Sequence, residues 1–180
     1  MLGGVLTLSV RACQPSGDAA IWPTMKPERR FSRDAILGAT EALASQSRPV
    51  RFQDVDAAGT IFFPKVYEYF SDAYLDLLLA AGLDVPGSLA RRESAAPLVH
   101  SEADYLAPLR FGDEVVVEVV LARVGATSTA YAHRILRLDG TVAVIGQTVH
   151  VWVSAKTFEP VPVPDALRAY LAGKVGVILD

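Results

Sequence analysis

The run from Phe63 to Ala81 constrains this chain more than any other stretch. Val66, Phe70, Ala73, Leu77 and Ala80 recur at steps of three and four, and Tyr67, Tyr74, Leu78 and Ala81 fall on adjoining lines. That period predicts a helix with a wide apolar stripe. Pro64 suits its first turn, where a missing N–H costs nothing, and Gly82 suits its stop. At 1.5 Å per residue such a helix is about 27 Å long. A stripe this wide, with aromatic rings in it, has to be wrapped by the rest of the chain.

The rest of the chain reads largely as strands. Arg48 to Gln53 is expected to be one, with Val50 and Phe52 facing the same way. Four more are expected downstream, over Leu98–Leu106, Glu114–Val124, Thr127–Leu138 and Thr141–Val153. Phe111-Gly112-Asp113, Gly125-Ala126 and the hairpin pair Asp139-Gly140 mark the turns between them. Ser32 is placed to cap a helix over Arg33–Ala44, and a short helix over Ala166–Leu171 follows Pro164. A strand, a long helix and four meandering antiparallel strands predict an α+β fold in which a five-stranded sheet rolls around the helix.

The 180 residues suit one domain. The expected division is an extension over 1–47, an arm plus a short helix, then a domain over 48–172 and a tail over 173–180. A net charge of −3 with scattered Lys and Arg gives no surface for nucleic acid. Cys13 is the only cysteine, which excludes an intramolecular disulfide or a cysteine-based zinc site and fits the reducing cytoplasm. No run approaches the ~20 apolar residues of a membrane span. Met1–Val10 is apolar but lacks a basic start, and Arg11 stands where a cleavage site needs small neutral residues, so export is not expected. Met25 is an alternative initiator.

Between the first strand and the long helix lies Asp54-Val55-Asp56-Ala57-Ala58-Gly59-Thr60-Ile61-Phe62-Phe63. On spacing alone, both acids are equally well explained as turn and N-cap residues. The stretch resembles the signature of the 4-hydroxybenzoyl-CoA thioesterase family, in which a strand runs into Asp-x-Asp-x-x-Gly and two hydrophobic residues open the central helix. Pro97 to Asp113, with His100, Tyr105 and Gly112, is similar to the family's second strand and following turn. Together with Asp56-Ala57-Ala58-Gly59, it most resembles the branch acting on 1,4-dihydroxy-2-naphthoyl-CoA. The resemblance runs from about Arg48 to Leu171.

That resemblance implies a hot-dog fold and hydrolysis of an acyl-coenzyme A, with an aromatic acyl group favoured over a fatty one. It implies Asp56 as nucleophile or general base, and the Phe63 N–H as the group that polarises the thioester carbonyl. Gly59, Thr60, Phe62, Tyr67 and His100 are expected to contact substrate, and Arg123 to meet the coenzyme A phosphates. Family members are homodimers or homotetramers with sites at the subunit boundary. No cofactor is expected, and His133 and His150 show no metal-ligand spacing. Glu68, one turn before Asp72, is the reserve acid, since another hot-dog branch carries its acid on this helix. Phe62, Phe63, Tyr67, Tyr105 and Trp152 are either an aromatic acyl pocket or ordinary core. Two alternatives stay open: an acyl-carrier-protein thioesterase, and a non-catalytic acyl-binding module.

Overall fold

The computed structural model of the protein describes residues 30–180, and the expected arm over 1–29, with Cys13 and Met25, lies outside the described residues. The chain runs through α1 (Arg33–Leu37), β1 (Ala44–Pro49), α2 (Phe63–Ala80), α3 (Val85–Ala90), β2 (Ser94–Ala95) and β3 (Leu98–Tyr105). It continues through β4 (Glu114–Val124), β5 (Ser128–Arg137), β6 (Val142–Val151), β7 (Val153–Ser154), α4 (Asp165–Leu171) and β8 (Val177–Leu179). The main sheet has the order β1-β4-β5-β6-β3 with antiparallel neighbours. β8 adds a short parallel strand to β4 beyond the stretch that β1 occupies.

The five expected strands and the central helix are all present. Val66, Tyr69, Phe70, Ala73 and Leu77 of α2 are fully buried against Val115, Val117 and Val119 of β4, Tyr131 and Ile135 of β5, and Val144 of β6. Each Val, Leu, Ile or Phe among them contributes about 1.5–3 kcal/mol by leaving water. Helix and sheet meet through stacked rings, Phe70 on His133 at 4.5 Å and Tyr74 on His150 at 4.2 Å. At Gly146, paired with His133, a Cβ would lie 2.4 Å from Phe70 Cε2 and 2.6 Å from the Glu102 carbonyl oxygen. Only glycine fits there.

The other face of the sheet is covered by the N-terminal segment. Phe31 and Ile36 pack over Val120, Ala130, Ala132, Ile145 and Val149. Gln147 pins this segment from both sides, accepting from the Phe31 N–H (2.8 Å) and donating to the Phe31 carbonyl (2.9 Å).

Several boundaries differ from expectation, for local reasons. Ser32 caps α1 as expected, accepting from the Ala35 N–H. The helix nevertheless stops at Leu37, with Gly38 as its cap. β1 begins at Ala44 instead of Arg48, because Ala44–Pro49 pairs residue for residue with Val119–Glu114. Val50 is buried while Phe52 is 76% exposed, since Phe52–Asp54 is a single 3-10 turn that rotates the side chains apart. The small β2–β7 ladder, α3 and β8 are additions to the expected set.

Two predictions follow from this core. Gly146→Ala should lower unfolding stability by about 1–3 kcal/mol through overpacking, read by denaturant unfolding. Burial pushes the His133 imidazole down to about 3 and that of His150 to about 4. Below pH 6.5 the unfolded chain therefore binds protons that the folded chain refuses. Stability should then fall from pH 6.5 toward about 4, by about 1.4 kcal/mol per pH unit for each histidine. His150→Phe should reduce that slope in pH-dependent unfolding.

Candidate active site

The two acids of the motif have different surroundings. Asp54 is buried, at 4% exposure, and its carboxylate accepts from the Tyr69 hydroxyl (2.8 Å) and the Arg51 N–H (2.9 Å). Lys65 Nζ stands 4.0 Å from its other oxygen. Desolvation and the Asp54 bond together hold the Tyr69 phenol well above its usual range. Asp54 thereby fastens the turn to α2.

Asp56 is exposed, at the base of a loop closed by the Val55–Ile61 bridge. Its N–H donates to the Thr60 carbonyl, and its own carbonyl accepts from the Gly59 N–H, both at 2.9 Å. Gly59 sits at φ 77°, a backbone conformation that side chains disfavour. Asp56 Oδ1 accepts from the Ala58 N–H at 2.8 Å, which fixes the carboxylate in the turn. Oδ2 takes no hydrogen bond from the described residues.

The start of α2 adds an open donor. The Phe62 N–H is bonded to the Asp54 carbonyl, Pro64 has none, and the Lys65 N–H returns to the Phe62 carbonyl, the two bonds at 2.8 Å. The Phe63 N–H finds no acceptor among the described residues. It stands at the positive end of an 18-residue helix. Tyr105 braces this end by donating to the Phe63 carbonyl at 2.9 Å. Phe62 and Phe63 meet edge to face, yet are 43% and 60% exposed. Tyr67 lies half-buried beside them, edge-on to Phe70.

Asp56, Gly59, Thr60, Phe62, Phe63 and Tyr67 therefore gather at one end of α2, a set that includes the two kinds of group attack on a carbonyl needs, a carboxylate and an N–H donor. Two other expected contacts stand elsewhere in the chain. His100 pairs with Val149 on the face covered by the N-terminal segment, and its Nε2 lies 3.2 Å from Glu102, whose other oxygen accepts from Gln147. Strand alternation thus turns it away from α2. Arg123 lies at the far end of β4, about 30 Å from the end that meets Val50, and pairs with Asp180 at 3.4 Å. Glu68 is exposed and ion-paired with Lys65 at 2.8 Å, and Asp72 with Arg48 at 2.6 Å.

Sequence reasoning passed over a second feature. A cavity of about 510 Å³ lies at the C-terminal end of α2, walled by Tyr74, Leu78, Val85, Leu89, Ala96 and Trp152. Its signal was present in Asp84, which caps α3 by accepting from the Gly87 N–H at 3.0 Å, with Pro86 in the first turn.

The split between the acids is testable by stability alone. Asp54→Ala should cost about 1–3 kcal/mol, because it strands the Tyr69 hydroxyl and the Arg51 N–H, whereas Asp56→Ala should stay within about 1 kcal/mol. Denaturant unfolding of the two variants checks this. Equal losses would contradict it.

Known proteins resemble this chain in sequence and fold. The sequence profile of the Thioesterase-like superfamily matches residues 50–171. A 1,4-dihydroxy-2-naphthoyl-CoA hydrolase of Synechococcus elongatus is 30% identical over 125 residues, spanning 69% of this chain and 91% of that protein. The crystal structure of a 1,4-dihydroxy-2-naphthoyl-CoA thioesterase from Synechocystis has the same fold, with a TM-score of 0.68 at 23% identity over 72% of this chain and 96% of its own. A gentisyl-coenzyme A thioesterase gives 0.63 at 27% identity, over 71% and 99%. By its profile and by this kinship, the chain is a member of the thioesterase-like superfamily, built on the hot-dog fold.

Proposed function

We propose that this thioesterase hydrolyses an aromatic acyl-coenzyme A, with Asp56 as its catalytic carboxylate and the Phe63 N–H as its oxyanion donor. The observation that carries the reading is the contrast between the acids. Asp54 is held in structural bonds, while Asp56 keeps one oxygen open in the loop that leads into α2, whose Phe63 N–H has no acceptor among the described residues. The names of the relatives support the aromatic acyl group.

The thioester carbonyl oxygen would accept from the Phe63 N–H, so that negative charge gathers where the helix end stabilises it. In one route the Asp56 carboxylate attacks the carbonyl carbon and the C–S bond breaks. The thiolate leaves and takes up a proton, and water then hydrolyses the resulting anhydride. In the other, Asp56 takes a proton from a water molecule that attacks the carbonyl carbon, the C–S bond then breaks, and the proton passes to the departing thiolate. The same reading includes a homo-oligomer, either dimer or tetramer, supported by the open edge of β3 and the exposed rings around Phe63. It also places the enzyme in the cytoplasm, supported by the single cysteine.

The pairing of Arg123 with Asp180 favours one second reading, because it occupies the cation expected for the nucleotide phosphates. In that reading the acyl group arrives on a carrier protein through the same pantetheine arm. Offering one acyl group on both carriers separates the two.

Release of free thiol from a panel of aromatic and aliphatic acyl-coenzyme A thioesters tests the proposal. Asp56→Ala should lower turnover of an aromatic member by at least about 10²-fold, with Glu68→Ala close to wild type. The reverse pattern would move the chemistry to Glu68. Phe63→Pro, at a position that tolerates proline, removes the N–H and should cost about 10²–10³ in kcat, while Phe63→Leu should not.

A further inference from the structure

Two rings stand in water close to the Asp56 loop. Phe52 and Phe111 are 76% and 63% exposed, and they meet edge to face with centroids 5.9 Å apart. Backbone bonds hold their two turns side by side. The Val50 N–H donates to the Asp113 carbonyl at 2.8 Å, and the Gly112 N–H to the Val50 carbonyl at 2.9 Å. A lone exposed ring needs no explanation, but two rings held in contact on the surface form an apolar patch. Rings this exposed offer flat faces to a planar guest.

Each ring follows an arginine. Arg51 precedes Phe52 and Arg110 precedes Phe111, and both are exposed. Neighbouring cations are engaged: Arg48 with Asp72, Lys65 with Glu68, and Arg137 with Asp113. The guanidinium groups of Arg51 and Arg110 form no ion pair or hydrogen bond among the described residues. Asp113, the acid nearest Phe111 in the chain, is answered by Arg137 at 3.7 Å and by the Arg110 N–H at 2.8 Å. Open ring faces beside two free guanidinium forks match an adenine nucleotide. The base stacks on a ring, and the forks grip phosphate oxygens.

Coenzyme A ends in such a nucleotide, with a diphosphate and a further phosphate on its ribose. Phe52 lies four residues before Asp56, so the two are at most about 14 Å apart. The pantetheine arm, from sulfur to diphosphate, has the chain length of about four peptide residues, about 14 Å when extended. A thioester at Asp56 and the Phe63 N–H therefore brings its nucleotide within reach of these rings. Arg123 stands near the other end of β4, about 30 Å from the turn that carries Phe111.

We infer that the adenine nucleotide of coenzyme A docks on Phe52 and Phe111, with Arg51 and Arg110 on its phosphates. This rests on the acyl-coenzyme A reading above.

Paired thioesters test it: one aromatic acyl group carried on coenzyme A and on pantetheine, which lacks the nucleotide. Wild type should prefer the coenzyme A thioester in kcat/KM, and added salt should shrink that preference by screening the phosphates. Phe52→Ala, Phe111→Ala and the double variant Arg51→Gln/Arg110→Gln should each cut the preference at least about tenfold, through KM. Lys156→Gln, an exposed cation next to the Ala155 that bonds to Glu93, should keep it. In calorimetry, with no turnover involved, adenosine 3′,5′-bisphosphate should bind wild type and lose at least about tenfold in affinity in the double variant. A preference that survives in all three variants, or a wild type with neither preference nor affinity for the bisphosphate, would overturn the platform. Variants that fall apart into monomers would overturn it too, making these rings a subunit contact. A loss confined to the same acyl group on a carrier protein would give the patch to that partner instead. Bisphosphate binding without thiol release from any coenzyme A thioester would leave the platform standing and sink the hydrolase reading on which its role rests.

Discussion

Helix α2 carries Val66, Tyr69, Phe70, Ala73 and Leu77 with no contact to water, and a helix so broadly apolar needs cover along its whole length. The curved sheet provides that cover, and the fit is tight where Phe70 stacks on His133 and its ring edge meets the bare backbone of the paired Gly146. Much else follows from this contact. His133 is forced to be neutral, β3 and β6 are brought over the helix, and the N-terminal end of α2 is left standing at the rim of the sheet.

The same burial fixes the geometry of the reactive end. A helix held this firmly presents its first free N–H in one place, and Pro64 removes the competing donor beside it. Asp54 spends both oxygens on structure, with one reaching Tyr69 of the buried helix face and the other approached by Lys65. The loop beyond it is then free to hold a second carboxylate with one oxygen to spare. Two acids with one residue between them thus come to opposite surroundings, one buried and the other exposed.

The fold was largely legible because its strongest signals are periodic. The α2 stripe, the valines of β4 and the turn pairs all survive as expected. β1 was harder to place because Ser45, Gln46 and Ser47 carry little apolar period, and its pairing with β4 sets its limits. Of the candidate site, the grouping of Asp56 to Tyr67 at one end of α2 was legible because it is local in sequence. His100 was misplaced because a strand residue's face depends on register, and the shift between Leu98 and His100 in the pairing with β6 cannot be read from one strand. Arg123 and the α2 cavity depend on contacts with Asp180 and Trp152, far away in the chain.

A crystal structure of Asp56→Asn holding an uncleaved aromatic acyl-coenzyme A tests most directly whether the thioester carbonyl sits at the first turn of α2. The carbonyl oxygen should lie about 2.7–3.1 Å from the Phe63 nitrogen, with its carbon facing the residue 56 side chain. A carbonyl found beside Glu68, or anywhere out of reach of the Phe63 N–H, would contradict it.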